Sequence, residues 1–331
     1  MTARLTVLVA LYSPVAAWRI PAAHVDRLRS AFPEHTFVHA EDDAQALARI
    51  PEADVAFMSE LGPQHLAAAP RLRWVHSAAA GIGSMMFPAM VSSSVLVTNS
   101  RAISGDTIGE HVLAVTLAMF RKLPFALHSQ ARREWAQDAM LADPPIKTIQ
   151  GSHVLMVGLG GIGSATARRM AALGARVTGI RRNLSRPVPE GVERVLPPGQ
   201  LLEQLPLADV VVIAAPQTAA THRLIGPAEI DAIRPDALLV NVSRGKLVDE
   251  AGLASALSDG RIGGAALDVF EEEPLPPSSP LWTLPNVLIT PHMSGFRPDH
   301  WEAVTALFSD NLRRFESGQP LLNVVDKNAG Y

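Results

Sequence analysis

The sequence predicts an α/β protein built on doubly wound parallel sheets. Three observations predict it. Apolar runs rich in Val, Ile and Leu recur along the chain, most of them continuous. Strands buried on both faces read this way, and parallel sheets covered by helices supply such strands. The segments between the runs carry apolar residues at helical spacing, so strand-like and helix-like stretches alternate, as crossover connections require. One strand-like run also passes through a glycine-rich turn straight into a helix pattern.

Taken in order, "LTVLVAL", "TFVHA", "ADVAFM", "LRWVHSA" and "VLVTNS" precede residue 101. "HVLMVGLG", "RVTGI", "ADVVVIAAP", "ALLVNVS", "GAALDVF" and "VLITP" lie between about 150 and 290. Eleven candidates exceed a comfortable open sheet of up to about 10 strands, so two sheets are expected. The start, "MTARLTVLVALYSPVAAW", has the outline of a secretory leader. Its apolar stretch is short and broken by Pro14, so it reads as a first buried strand, Leu5–Leu11. "SGDTIGEHVLAVTLAMFRKL" has a broad apolar face from Ile108 to Leu123, with Ser104 as its expected cap. Within it, Glu110 and His111 read as a buried, mutually satisfied pair. "HWEAVTALFSDNLRRFESG" is a second amphipathic helix.

Composition narrows the function. The 331 residues suffice for two domains with their own cores. Lys and Arg number 29 against 32 Asp and Glu, a net charge of −3. That balance argues against a general nucleic-acid binder and a polybasic membrane surface. No apolar run reaches the ~20 residues that span a bilayer. The chain has no cysteine, which removes disulfides, thiol nucleophiles and thiolate metal sites and fits a reducing cytoplasm. No H-E-x-x-H motif or carboxylate cluster appears, and no metal is expected.

The glycine turn is the first chemical signal. Gly158-Leu159-Gly160-Gly161-Ile162-Gly163 follows the strand Val154–Val157 and opens a helix pattern over Ile162–Leu173, which Gly174 ends. In this setting G-x-G-x-x-G reads as a dinucleotide site. Gly158 allows the tight turn, Gly160 lets backbone N–H groups approach a pyrophosphate, and Gly163 lets helix pack on strand. The helix N-terminus then faces the phosphates. At the end of the next strand an acid commonly accepts from the ribose 2′-OH of NAD. Here Arg181 stands 21 residues after Gly160, followed by Arg182. Arginine pairs with a 2′-phosphate that a carboxylate would repel. Asn183 and Ser185 are further donors. Two charged hydrogen bonds of roughly 1.5–3 kcal/mol each give a preference of about a hundredfold or more. NADP is therefore expected, with NAD as the alternative.

Three other stretches put polar residues after strands: Arg244 in "LLVNVSRGKLVDE", Asp268 and three glutamates in "AALDVFEEEPLP", and His292 in "VLITPHMSG". Open α/β sheets bind ligands beyond the carboxyl ends of their strands. An arginine, a carboxylate and a histidine there suggest carbonyl reduction, with the arginine holding a carboxylate and the histidine moving a proton.

With "GLGGIG", "NVSRG", "ALDVFEEEPLP" and "TPHMSG" in that order, from about "WVHSAAAGIG" to "LLNVV", the chain resembles the D-isomer-specific 2-hydroxyacid dehydrogenases. This family includes glyoxylate/hydroxypyruvate reductases and D-3-phosphoglycerate dehydrogenase. The resemblance implies a Rossmann cofactor domain, 101–294, inserted in a flavodoxin-like substrate domain made of 1–100 and 295–331. It implies that Arg244 binds the substrate carboxylate and carbonyl, that Glu273, directly before Pro274, is the catalytic glutamate, and that His292 donates the proton. Asp268, Ser294 and Gly295 are implied at the nicotinamide end, and Pro216, Val242 and Ser243 as cofactor lining. Ala80 and Gly81 of "HSAAAGIG" match the loop whose N–H groups hold the carboxylate. Homodimerisation through the cofactor domain is implied, with 120–150 as the arm.

The implied reaction is hydride transfer from NADPH to a 2-keto acid. His292 protonates the carbonyl oxygen, and Glu273 favours the charged form of the histidine. Three departures from the family pattern stand out. The usual acid is Arg181, Ala214-Ala215 precede Pro216 where relatives carry a bulkier residue, and the substrate loop lacks a cation for a phosphorylated substrate. A small keto acid of the glyoxylate or hydroxypyruvate kind is favoured, and no regulatory domain is expected after residue 331. The alternatives are an NAD-dependent D-2-hydroxyacid dehydrogenase with a bulkier substrate and a nucleotide-binding, corepressor-like interaction protein. Absence of extra interaction segments weighs against the latter. Tyr12, Trp18, Trp282, Phe296 and Trp301 are the aromatic candidates for a substrate pocket.

Overall fold

The computed structural model describes residues 4–330; the first three residues and residue 331, the extreme ends of the expected substrate domain, lie outside the described residues. Twelve strands are found among the described residues: β1 (Thr6–Ala10), β2 (Thr36–His39), β3 (Val55–Met58), β4 (Trp74–Ser77), β5 (Leu96–Asn99), β6 (His153–Val157), β7 (Arg176–Ile180), β8 (Arg194–Leu196), β9 (Val210–Ile213), β10 (Leu238–Asn241), β11 (Gly264–Leu267) and β12 (Val287–Ile289). They form a five-stranded sheet of order β2-β1-β3-β4-β5 and a seven-stranded sheet of order β12-β11-β10-β9-β6-β7-β8. Every neighbouring pair is parallel. The first order is the flavodoxin-like one, the second the Rossmann one extended by a strand.

All eleven apolar runs form strands. The twelfth strand, β8, escapes the pattern because it is three residues long, lies at the sheet edge and begins with an exposed Arg194. It matters to the site, since the Arg181 N–H donates to the Leu196 carbonyl at 3.0 Å and so fixes the chain as it leaves β7.

Two compact units result, Met1–Ile103 with Arg297–Tyr331 and Ser104–Phe296. The division falls at 103/104 and 296/297, not at 100/101 and 294/295. Ser100 stays with the first unit, its hydroxyl donating to the Ser77 carbonyl and its N–H to that of Ala79. Gly295 and Phe296 stay with the second, the Phe296 N–H donating to the Met293 carbonyl.

The last long helix, His300–Glu316, completes the first unit because its apolar stripe is buried there. Val304, Phe308 and Leu312 are fully buried. The Phe308 ring stacks on Phe57 at 4.3 Å with a 2° interplanar angle and lies 5.4 Å from Trp74.

In the second unit, the helix Gly105–Phe120 packs closely on the helix Gly161–Ala172. A Cβ on Gly105 would sit 3.1 Å from the Gly161 carbonyl oxygen, and one on Gly109 3.2 Å from the Ala165 carbonyl carbon. Ser104 occupies the N-cap position, but its side chain makes no capping hydrogen bond. The apolar face does not continue to Leu123 in one helix. The chain turns at Lys122 (φ 54°), and a separate helix, Leu123–Ala131, follows with Pro124 in its first turn. No single helix among the described residues is long and apolar enough to cross a membrane.

The Phe308 stack generates a test. Replacing Phe308 by Ala should cost the first unit about 3–5 kcal/mol, read as an earlier transition in chemical denaturation. An unchanged midpoint would mean that this helix does not carry the unit's core.

Candidate active site

The register of the second sheet aligns six strand ends in one row. Val157 pairs with Ile180 and Ile213, Asn241 with Ile213 and Leu267, and Leu267 with Ile289. Residues just past this row share one edge: Gly158, Arg181, Ala214, Val242, Asp268 and Thr290.

At the centre of the edge is the topological switch point, between β6 and β9. Gly158 has φ +104°, and a Cβ there would lie 2.6 Å from the Ala214 carbonyl oxygen. Both facts require glycine. A Cβ on Gly163 would come within 2.0 Å of the Gly158 carbonyl oxygen, whereas one on Gly160 would meet nothing within 4 Å. The turn is thus closed on its protein side and open above Gly160, where the helix Gly161–Ala172 begins. An open backbone at a helix N-terminus fits the pyrophosphate of a dinucleotide. Gly161 and Ile162 form that first turn, Pro216 lies in the loop after β9, and Val242 and Ser243 are buried after β10.

Arg181 follows β7, with its guanidinium turned onto its own loop: Nη1 donates to the Pro187 carbonyl at 3.1 Å and Nη2 to the Arg186 carbonyl. Arg182 is exposed beside it. The Ser185 hydroxyl donates to the Asn183 side-chain oxygen at 2.7 Å.

Arg244, Glu273 and His292 gather at the other half of the edge. His292 Nδ1 lies 2.6 Å from Glu273 Oε2, and the Phe270 N–H donates to Glu273 Oε1 at 3.0 Å. With Nδ1 donating to the carboxylate, Nε2 is the ring nitrogen left for a ligand. The two side chains are 46% and 34% exposed, so a small molecule can reach them. Burial alone would raise the Glu273 carboxyl. The hydrogen bonds from His292 and the Phe270 N–H and the charges of His292 and Arg244 outweigh it and hold the group below the usual glutamate range. Burial lowers the Arg244 guanidinium from its usual value, and the Glu273 charge opposes this.

Residues that sequence reasoning missed hold the Arg244 turn and the Glu273 loop in place. The Asn241 side-chain oxygen accepts from the Ser243 N–H (3.1 Å) and hydroxyl (2.9 Å), while its amide donates to the Arg244 carbonyl at 3.0 Å. A Cβ on Gly245 would overlap Phe270, 1.8 Å from its carbonyl carbon. Only glycine lets the Arg244 turn approach the loop that carries Glu273. Glu250 Oε2 accepts from the Glu271 N–H at 2.8 Å. The "NVSRG" spelling contains both Asn241, whose contacts lie within that turn, and Gly245, whose approach to Phe270 exists only once the loops after β10 and β11 meet.

Asp268 is buried, and both its oxygens are used within the protein. Oδ1 accepts from the Thr290 hydroxyl at 2.6 Å and the Met293 N–H at 2.9 Å; Oδ2 accepts from the Ser294 N–H at 2.9 Å. The Asp268 carbonyl accepts the His292 N–H at 2.8 Å. This carboxylate binds the loop that carries His292 rather than presenting itself to solvent. Glu110 and His111 do not form the expected buried pair. Glu110 is exposed, 3.4 Å from Arg169, and His111 points to Thr290.

In the first unit, Ala80 and Gly81 lie exposed in the loop after β4, where the Asn99 amide donates to the Ala80 carbonyl at 2.7 Å. Of the aromatic candidates, Trp301 is in that unit's core, donating to the Ala17 carbonyl at 3.2 Å. Tyr12 donates to Asp43 at 2.8 Å. In the second unit the exposed Trp282 donates to the Pro276 carbonyl at 3.0 Å.

Comparison with known proteins agrees with this geometry. Residues 113–294 match the family model of the D-isomer specific 2-hydroxyacid dehydrogenase, NAD binding domain. A glyoxylate reductase of Thermococcus gammatolerans is 31% identical over 93% of this chain and 94% of its own. A D-3-phosphoglycerate dehydrogenase of Mycobacterium bovis is 32% identical over 90% of this chain, which spans only 56% of that longer protein. Among solved structures, an NADPH-dependent glyoxylate/hydroxypyruvate reductase from Sinorhizobium meliloti, in complex with NADP and sulfate, has a TM-score of 0.83 at 28% identity, covering 98% of this chain and all of that one. A seven-stranded parallel sheet with a dinucleotide turn, and an Arg–Glu–His cluster on the same edge, thus stand in a sequence that belongs to the D-isomer-specific 2-hydroxyacid dehydrogenases, a family of NAD(P)-dependent oxidoreductases.

Proposed function

We propose that the protein reduces a small 2-keto acid, of the glyoxylate or hydroxypyruvate kind, to the D-2-hydroxy acid, with NADPH preferred. The observation that carries this reading is the exposed His292–Glu273 pair at 2.6 Å beside Arg244. When bound to the open turn, NADPH supplies the hydride. Arg244 holds the substrate carboxylate and polarises the carbonyl. His292 gives the Nε2 proton to the carbonyl oxygen. Glu273, kept ionised, fixes the ring through Nδ1 and stabilises its charged form. The names of the Thermococcus and Sinorhizobium proteins support the substrate class. A reducing cytoplasm is the location we propose on the cysteine-free composition.

One observation favours a second reading, an NAD-dependent dehydrogenase with a bulkier substrate: the Arg181 guanidinium is engaged with carbonyls of its own loop. Steady-state rates with NADPH and NADH separate the two. We expect kcat/KM for NADPH to exceed that for NADH by about a hundredfold. Arg181→Ser and Arg182→Ser should each reduce the NADPH value and leave the NADH value unchanged. Equal rates in the unaltered enzyme would put the NAD reading first, and a fall with both cofactors in Arg181→Ser would mark damage to the loop.

The proton donor is tested by His292→Asn, expected to lower kcat by about 10²–10⁴. A carboxyl whose folded pKa is depressed contributes stability above its unfolded value and loses it as pH falls through the folded one. The pair with His292 should therefore persist down to the ordinary glutamate value of 4.5 and fail below it. The acid limb of kcat/KM should lie below that pH and vanish in Glu273→Gln. A limb retained in Glu273→Gln would assign it to another group.

We also propose a homodimer through residues 120–150. Leu127, Trp135 and Leu141 there are 65%, 92% and 64% exposed, an apolar set that a second copy would cover. Light scattering should give a dimer mass for the chain and a monomer mass for Leu127→Asp combined with Trp135→Glu. A monomeric wild type would refute the arm.

A further inference from the structure

Behind Asp268 the hydrogen bonds continue to a side chain that the proposed reaction does not use. The Thr290 hydroxyl lies 2.6 Å from Asp268 Oδ1 and 3.3 Å from His111 Nε2. An ionised carboxylate only accepts, so the single Thr290 proton goes to Asp268. The Thr290 oxygen then faces His111 as an acceptor, and Nε2 must be the protonated nitrogen. Burial keeps the His111 ring below the ordinary histidine range, against the pull of the Asp268 charge. A neutral ring protonated on Nε2 fits that setting.

The far end of this chain is the loop after β12. His292 sits there at φ +50°, in the left-handed region, which is uncommon and costly for a residue with a side chain. Four hydrogen bonds to Asp268 hold the turn, from the Thr290 hydroxyl and the N–H groups of His292, Met293 and Ser294. Turning the carboxylate breaks the side-chain contacts together. His111 stands on the helix Gly105–Phe120, an element separate from the loop, so it ties the loop to the body of the unit.

We propose that His111 is a positioning residue, which through Thr290 orients the Asp268 carboxylate that holds the loop carrying His292. Its catalytic significance rests on the reading of His292 as the proton donor. The experiment is amide hydrogen exchange on the full chain, alongside steady-state kinetics with glyoxylate and NADPH. In His111→Leu the Met293 and Ser294 amides should exchange about tenfold faster, the order expected for one lost hydrogen bond. The amides of β11 should be unchanged. Thr290→Val should give the same local pattern, and His111→Gln, which retains an N–H donor, should restore protection. In parallel, kcat should fall about tenfold in His111→Leu with little change in the KM for NADPH, and recover in His111→Gln.

Unchanged protection of residues 293 and 294 in both His111→Leu and Thr290→Val would overturn the proposal. So would an equal loss across β11, or a Gln variant as unprotected as the Leu variant. If the wild type reduces no keto acid, the proposed function fails, while the exchange pattern still decides the role of His111 in the loop.

Discussion

In-register parallel pairing is the constraint on which the site depends. Ile180, Val157, Ile213, Asn241, Leu267 and Ile289 form one row because each strand pairs with its neighbour at that level. Segments far apart in the chain thereby deliver their next residues to a common edge. A slip of one residue in any strand would turn its side chains to the opposite face. Burial on both faces resists such a slip: the residues of β6, β9, β10 and β11 are all buried.

Beyond that row the backbone is irregular, and the side chains of buried Asn241 and Asp268 and partly buried Glu250 replace strand pairing as the organising force. Asn241 closes the Arg244 turn, Asp268 closes the His292 turn, and Glu250 meets the loop that carries Glu273. Each is a side chain satisfying backbone N–H or C=O groups that no ladder reaches, which a buried loop requires. The result is a division of labour. These polar groups fix the loops, and His292 and Glu273 are left exposed.

The cofactor end works differently. The surface that fits a pyrophosphate is backbone at a helix N-terminus, where a Cβ on Gly160 would meet nothing within 4 Å. Under the proposed function, discrimination between the two dinucleotides would fall to the loop between β7 and β8. There Arg181 closes the loop through two carbonyls, which engage two of its donors. A guanidinium has five donors in a planar fork, enough to serve its own loop and an incoming anion together.

Periodicity and glycine spacing were sufficient to determine the α/β class, eleven of the twelve strands and the dinucleotide turn, because burial on both faces and backbone crowding leave their mark in residue type. The order of "NVSRG", "EEEPLP" and "TPHMSG" also drew out Arg244 and His292 as candidates just past legible strands, whereas Glu273 was separated from Glu271 and Glu272 only by the family resemblance. Three features were decided only by the tertiary structure. The edge strand β8 is too short and polar to carry a pattern. The contact of Gly245 with Phe270 exists only when two loops meet. The turn of His111 away from Glu110 toward Thr290 depends on the packing of a helix beside a loop 179 residues later in the chain. Local sequence records which residues are buried and where the backbone must bend; which buried polar groups find one another is a property of the assembled sheet edge.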